Sequence, residues 1–322
     1  MPLSAAAQEA KIEVLAEGLS NPFAVAVQPE TDVVYVAESG AQRVVRYFDG
    51  KIEPVITGFP ASKADGYVAG PMSLMFMERS GLWVGRVWGD EGCVSLYRLQ
   101  KENVALKAFH QKQYVAPEKI EGMPKLANYR SLAFHNVNFY AIGEGVKQNW
   151  ISLGELSSNG TLTGFRPAIE GRQGSVERPA AVTVDPLGGY LAVTRTGKPT
   201  PQLDGLLSMY SLSGKWLADY PLEVRDPVSV AYNSVSQRMF VLDANFTNPE
   251  KGGLYAVYVD SQSKCVAKKL CEVPWGRSMM FDSKGHLFVT SLGADAKSAN
   301  QKPAGKLLRI TIADETKGES NE

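Results

Sequence analysis

The stretch Tyr35-Val36-Ala37-Glu38 joins a short apolar run to a polar residue, and this combination returns five more times along the chain. The later runs end in Arg86, Glu144, Arg195, Asp243 and Ser291, which together with Glu38 form the polar series. The steps between its members are 48, 58, 51, 48 and 48 residues. Repeats of about 50 residues made of short strands are typical of a β-propeller, in which each repeat forms one blade.

Each repeat also opens in the same way, with six residues that suit an innermost strand. These openings begin at Pro22, Pro71, Tyr129, Pro179, Pro227 and Gly276. Their third residue is always alanine or serine, which fits a strand crowded near the axis of the ring. Proline fits a first strand position, where no N–H donor is needed. We therefore predict an all-β fold: a six-bladed β-propeller with four antiparallel strands in each blade.

Residues 11–19 supply the strand that the last repeat lacks after Ile312. They match residues 51–59 in length, in their Lys-Ile-Glu start and in their glycine-apolar end. We predict that they pair with the last blade and close the ring, which removes free sheet edges. The expected organisation is a disordered leader or signal remnant over 1–10, one propeller over 11–312 and a disordered tail over 313–322.

The composition excludes several classes of function. The chain has 34 Lys and Arg residues and 34 Asp and Glu residues, so its net charge does not favour a polyanion such as nucleic acid as the partner. No apolar run approaches the ~18 residues that span a bilayer. Ala5-Ala6-Ala7 before Gln8 resembles the end of an export signal. We expect a secreted or periplasmic protein, with a cytoplasmic one as the alternative.

The longest loops gather on one face of the predicted ring. Links between second and third strands share this face with the links between blades, and they lengthen to residues 195–205, 243–253 and 291–305. Long loops on a rigid scaffold commonly carry function, so we place the site at the channel mouth on this face. The candidate ligand-binding residues there are Glu38, Arg86, Tyr129, Arg130, Glu144, Arg195, Asp243, Trp275 and Arg277.

The charges at this mouth allow three interpretations. The alternating signs of these charges favour a network in which the side chains form ion pairs with one another. Four arginines against three carboxylates favour a pocket for an anion, because guanidinium groups suit carboxylate or phosphate. The third is a site for a divalent cation such as Ca²⁺ on Glu38, Glu144 and Asp243, although the intervening arginines compete for these carboxylates and repel a cation.

Residues 35–47 resemble an NHL repeat, in which an acidic residue, a short turn and an Arg-Val pair link two strands; Glu38 replaces the usual Asp, and Gln42 stands where His or Asn is common. Over residues 11–312 the repeat architecture resembles six-bladed propellers of the NHL and SMP-30/gluconolactonase-like superfamily. For the SMP-30-like lactonases this resemblance implies a divalent cation held by Glu, Asn and Asp. The polar series contains no Asn, although Asn149 and Asn245 lie close in sequence.

No motif assigns chemistry to the chain, so no catalytic residue is predicted. There is no G-x-S-x-G, P-loop or dinucleotide fingerprint, and the three histidines do not suit a zinc site. We expect a non-catalytic propeller without a cofactor that binds a small anionic or polar molecule, or a peptide or protein segment. The alternatives are a divalent-metal-dependent hydrolase or lactonase of the SMP-30-like type and a protein-interaction scaffold.

Overall fold

The computed structural model describes residues 10–64, 67–88, 91–99, 105–121, 125–145, 149–170, 178–197, 202–260, 264–293 and 303–313. Almost all of the predicted leader and tail lies outside these residues, so the predictions made for them stay predictions. The described part consists of strands and two single-turn 3-10 helices, Ser39–Ala41 and Pro249–Lys251. It contains no helix long and apolar enough to cross a membrane.

Six sheets of strands form the blades, and four consecutive strands make up most of them. Blade one contains β2 (Pro22–Val27), β3 (Val34–Glu38), β4 (Arg43–Phe48) and β5 (Lys51–Thr57). Blade two contains β8 (Pro71–Glu78), β9 (Gly81–Trp88), β10 (Glu91–Arg98) and β12 (Gln113–Val115). Blade three contains β13 (Leu126–His135), β14 (Asn138–Gly145), β15 (Asn149–Leu156) and β16 (Leu162–Glu170).

The second half of the ring repeats this arrangement. Blade four contains β17 (Arg178–Val184), β18 (Leu191–Thr196), β19 (Leu206–Tyr210) and β20 (Trp216–Pro221). Blade five contains β21 (Pro227–Tyr232), β22 (Met239–Asp243), β23 (Gly253–Val259) and β24 (Cys265–Glu272). Blade six contains β25 (Gly276–Phe281), β26 (Leu287–Ser291), β27 (Gly305–Ile312) and β1 (Ala10–Leu19). The predicted six-bladed propeller is confirmed.

Two additions depart from four strands per blade. β11 (Leu106–Lys107) pairs in parallel with β5 and gives blade one a fifth strand. β6 (Ser62–Ala64) and β7 (Tyr67–Ala69) form a hairpin of their own in the link between blades one and two. β11 lies in the link between β10 and β12 of blade two, and the hairpin lies between two blades, so both leave the ring intact.

The ring closes through β1, as the sequence predicts. β1 runs antiparallel to β27, from Ala10 opposite Ile312 to Leu19 opposite Gly305. Lys306 lies 2.8 Å from Glu17 across this pair, and Arg309 pairs with Glu13. The first strand of the chain therefore completes the last blade.

Alternate residues of each second strand enter opposite seams, a seam being the packed interface between two neighbouring blades. In β14, Phe139 and Ala141 pack with Trp83 of blade two, whereas Ile142 packs with Val193 of blade four. A shift of one residue along a second strand therefore moves a side chain from one seam to the other. This rule decides where each member of the polar series lies.

Candidate functional site

In five blades, the member of the polar series pairs with the residue that opens the blade. The pairs are Pro22 with Glu38, Pro71 with Arg86, Pro179 with Arg195, Pro227 with Asp243 and Gly276 with Ser291. In each case the ladder then skips one residue of the first strand. Phe23, Met72, Ala180, Val228 and Arg277 are therefore bulge residues, and a bulge redirects its side chain away from the regular alternation.

Blade three departs from this register, and Glu144 does not hold the place expected for it. Ser131 pairs with Ile142, as Ser73 pairs with Gly85, so the residue equivalent to Arg86 is Gly143. Glu144 lies one residue further on. Its Oε2 accepts a hydrogen bond from Asn128 at 2.8 Å, and its other oxygen pairs with Arg130.

Tyr129 fills the space that Gly143 leaves. A Cβ atom on Gly143 would lie 2.9 Å from Cε1 of the Tyr129 ring. Tyr129 is fully buried in the seam between blades two and three, and its hydroxyl lies 3.1 Å from Ser152 Oγ. Burial raises the pKa of this hydroxyl. Tyr129 therefore belongs to the core, in a position that offers no contact with a ligand at the mouth.

The Gly143→Ala variant tests this packing. We expect it to lose about 1–3 kcal/mol of unfolding free energy, because the new methyl group overpacks a seam that holds a rigid ring. Urea unfolding measures the loss. In a Tyr129→Leu background the same substitution is expected to cost less, and equal costs in the two backgrounds would show that Tyr129 does not fill the space.

The carboxylates of the polar series do not pair with its arginines. Glu38 is 2% exposed; it pairs with Arg43 at 2.6 Å and accepts a hydrogen bond from the Ser20 amide at 2.8 Å. Both partners of Glu144 come from its own blade. The ring of alternating ion pairs that the sequence suggests is therefore replaced by separate contacts.

Arg86 and Arg277 are held by neighbouring aromatic rings. Arg86 is fully buried, donates from Nε and Nη2 to Ser95 Oγ at 3.2 and 3.1 Å, and lies 5.6 Å from the Phe59 ring. Arg277 lies 4.4 Å from the centroid of the Phe23 ring. A cation over an aromatic face is attracted to it. Both guanidinium groups are thus fixed by this protein's own side chains.

Trp275 belongs to an apolar cluster at the bulge residues. It packs against Phe23, Met72 and Leu292, and its Nε1 donates to Glu250 at 2.8 Å. Phe23 and Met72 are bulge residues of blades one and two. One side of the mouth is therefore apolar.

Asp243 lies beside a second buried carboxylate, that of Asp226, which is not among the residues predicted from the sequence. Asp243 Oδ1 accepts hydrogen bonds from the backbone amides of Asp226 at 2.7 Å and Asn245 at 3.1 Å. Asp226 Oδ2 accepts one from the Phe246 amide at 2.7 Å. The two aspartates are 1% and 2% exposed. Among the described residues, none donates a hydrogen bond to Asp226 Oδ1.

The surroundings of Asp226 favour its protonated form. Burial raises its pKa from 3.8 to about 6, and the negative charges of Asp243 and Asp204 add to the effect. The Phe246 amide and Arg225 act in the opposite direction. A carboxyl group with this pKa changes its charge near neutral pH, which is the property that a general base or acid requires.

One signal in the sequence identifies Asp226 once the register is known. It directly precedes Pro227, the residue that pairs with Asp243. An acidic residue next to the opening position therefore lies beside the acidic member of the polar series. Only in blade five do both positions carry a carboxylate.

The expected cation ligands do not come together. Glu38, Glu144 and Asp243 belong to different blades, and each is hydrogen bonded within its own. Among the residues that the structure describes, no three His, Cys, Asp or Glu side chains form a group able to hold a metal ion. The alternative of a cation on these three carboxylates does not fit this geometry.

No family model and no curated protein matches the chain, but solved structures share its fold. The soluble aldose sugar dehydrogenase from Escherichia coli superimposes with a TM-score of 0.63 at 14% identity, covering 94% of this chain and 100% of the other. The PQQ-bound aldose sugar dehydrogenase from Streptomyces coelicolor gives 0.62 at 11% identity, covering 95% and 99%. A gluconolactonase from Xanthomonas campestris gives 0.62 at 9% identity, covering 97% and 93%.

These structures correct two expectations. The expectation of a non-catalytic binding protein is wrong, because the structures that share the fold include sugar dehydrogenases and gluconolactonases, which support an enzyme and the lactonase alternative. The expectation that no cofactor is needed is wrong for the same reason, because these neighbours include a dehydrogenase with bound PQQ.

The described residues do not form a site that matches PQQ. This cofactor carries several carboxylates, so it needs several open cationic donors. Of the two buried arginines in the described ranges, Arg86 is held by Ser95 and Phe59, and Arg195 by the Tyr210 hydroxyl. We derive no step through PQQ or a metal ion.

The chain shares its propeller fold with all three of these structures. Each structure matches more than nine-tenths of the chain, and the blades, their order and the closing strand agree with the sequence prediction. The chain is a six-bladed β-propeller with the architecture shared by gluconolactonase-like proteins and sugar dehydrogenases.

Proposed function

We propose that the protein is an enzyme that hydrolyses a sugar lactone at the loop-rich face, with Asp226 as the general base. The observation that carries the proposal is the buried Asp226 carboxylate, whose pKa is raised to about 6. The gluconolactonase among the structures with this fold supports the choice of substrate class.

Lactone hydrolysis needs a group that accepts a proton. Water attacks the carbonyl carbon while the base removes a proton from it, and the ring C–O bond breaks as the leaving oxygen receives a proton. The product is a hydroxy acid. A carboxylate with a pKa near 6 is mostly ionised at pH 7 yet basic enough to take the proton, which is worth about 10²–10⁴-fold in rate.

Backbone amides hold both the Asp226 and the Asp243 carboxylate in place. Two amide donors hold Asp243 Oδ1 in place. Burial raises the pKa of Asp226, and the neighbouring charge of Asp243 adds to this effect. Asp226 is anchored through Oδ2, so Oδ1 is the oxygen that would accept the proton.

An assay of two reactions tests the proposal. We expect purified protein to hydrolyse glucono-δ-lactone faster than buffer in a pH-stat, with the spontaneous rate subtracted. The same preparation, incubated with PQQ and a dye acceptor, is expected not to oxidise glucose. Oxidation without hydrolysis would contradict the proposal. Hydrolysis at the wild-type rate by Asp226→Asn would contradict Asp226 as the group that activates water.

A further inference from the structure

Arg195 is a buried cation with unused donors. Its side chain is 2% exposed and contacts Tyr210 of the seam between blades three and four, one residue from the end of Leu191–Thr196. Nη2 donates to the Tyr210 hydroxyl, and the guanidinium carbon lies 5.9 Å from the centroid of the Tyr210 ring. Among the described residues, none accepts a hydrogen bond from Nε or Nη1.

This arrangement differs from that of the buried carboxylates at the same face. Glu38 has Arg43, and Asp243 has two backbone amides. Arg195 has one neutral hydroxyl and, within the described part of the chain, no carboxylate partner. A buried charge is strongly unfavourable unless an opposite charge and hydrogen bonds compensate it. An anion from outside the chain would supply both.

We infer that Arg195 binds the carboxylate of a sugar acid. This inference rests on the proposed function, because lactone hydrolysis converts a neutral ester into a carboxylate. The planar guanidinium presents several N–H groups in fixed directions, which suits a carboxylate better than a neutral hydroxyl. Tyr210 accepts one N–H of Nη2, so the second N–H of Nη2, together with the neighbouring N–H of Nε or of Nη1, remains for a carboxylate.

Arg195 and the proposed base lie at the same end of their blades. Arg195 and Asp243 each pair with the opening proline of the blade, Pro179 and Pro227. Asp204, in the link that follows β18, is near enough to raise the pKa of Asp226. A single sugar acid at this mouth therefore has an anion partner in blade four and a proton acceptor in blade five.

Thermal shift and calorimetry with sodium gluconate, glucose and inorganic phosphate test this assignment. We expect gluconate to raise the melting temperature of the wild type, phosphate to raise it by less and glucose to leave it unchanged, because a guanidinium group binds phosphate as well as carboxylate. Arg195→Met is expected to remove the gluconate response. Arg195→Lys is expected to weaken gluconate binding about tenfold, because lysine keeps the positive charge but lacks the pair of N–H groups that bind both carboxylate oxygens. Arg98→Met, which removes an exposed arginine paired with Glu78, is the matched control and should respond as the wild type does.

Without a ligand, Arg195→Met is expected to melt at a higher temperature than the wild type, since it removes a buried charge that lacks a counter-ion. If this variant does not fold, the gluconate response of Arg195→Lys tests the inference instead. A gluconate response that survives in Arg195→Lys at full strength, or an equal response to phosphate or glucose, overturns the inference. Gluconate binding that depends on Arg195 without lactone hydrolysis would contradict the proposed function but not this site.

Discussion

Asp226→Asn is expected to lose lactone hydrolysis by about 10²–10⁴-fold and, at pH 8, to be more stable than the wild type. The amide keeps an oxygen for the Phe246 N–H but cannot accept a proton from water. It also removes a negative charge that is buried beside Asp243. Loss of activity and gain of stability in one variant is the pattern of a strained functional group.

The gain in stability has a defined pH dependence. The pKa of Asp226 is about 6 in the folded protein and near 3.8 when unfolded, so the folded state binds the proton more tightly. The stability that this provides is complete below about pH 4 and is lost as the pH rises through about 6. A shift of this size corresponds to at most about 3 kcal/mol. Asparagine does not titrate, so we expect Asp226→Asn to exceed the wild type by about 1–3 kcal/mol at pH 8 and by much less at pH 4.

Urea unfolding at the two pH values measures this difference, and a pH-stat measures the rate. Asp49→Asn is the matched control, because Asp49 lies in an exposed hairpin turn whose left-handed conformation asparagine also accepts. It should change neither quantity. A variant of Asp226 that keeps its activity, or that is less stable than the wild type at pH 8, would refute the role given to this carboxylate.

Deletion of residues 1–19 is expected to produce the largest loss of stability. The strand Ala10–Leu19 covers the outer edge of Gly305–Ile312, and Leu19, which is 2% exposed, packs with Phe288 and Leu307. Its removal exposes these side chains and leaves the backbone of blade six unpaired at its edge. Burial of Leu19 alone is worth about 1.5–3 kcal/mol.

We expect the deletion to lower the melting temperature by roughly 10 °C or more, since about 1 kcal/mol corresponds to a few degrees in a chain of this size. Deletion of residues 1–9 is the control, because it leaves the closing strand in place. Calorimetry compares the two. Equal melting temperatures for the wild type and the 1–19 deletion would contradict closure of the ring by this strand.

The ring, its six blades and its closure could be predicted from the sequence because they depend on local patterns that repeat. Short apolar runs, small residues at the third position and a duplicated strand at 11–19 are each visible without contacts. The blade register depends on longer links before blade three, where the step from Arg86 to Glu144 is 58 residues rather than 48. An alignment of the repeats by their polar residues therefore selects Glu144, whereas the strand pairing places Gly143 at the equivalent position.

The partners of the charged residues could not be predicted in the same way. Each second-strand side chain enters one of two seams, and its neighbours there come from the adjacent blade or from bulges. Tyr129 is an aromatic residue beside Arg130 in the sequence, yet its ring fills the seam next to Gly143. Asp226 gains its properties from burial and from Asp243, neither of which the residue type reveals.

The pH dependence of lactone hydrolysis tests the central claim most directly. Between pH 4 and 8, after subtraction of the spontaneous rate, we expect the wild-type rate to fall on the acidic side with a midpoint near pH 6. Asp243→Asn removes the neighbouring negative charge, so its midpoint should lie at a lower pH. A rate that does not change across this range, or a midpoint that Asp243→Asn leaves in place, would contradict Asp226 as the general base.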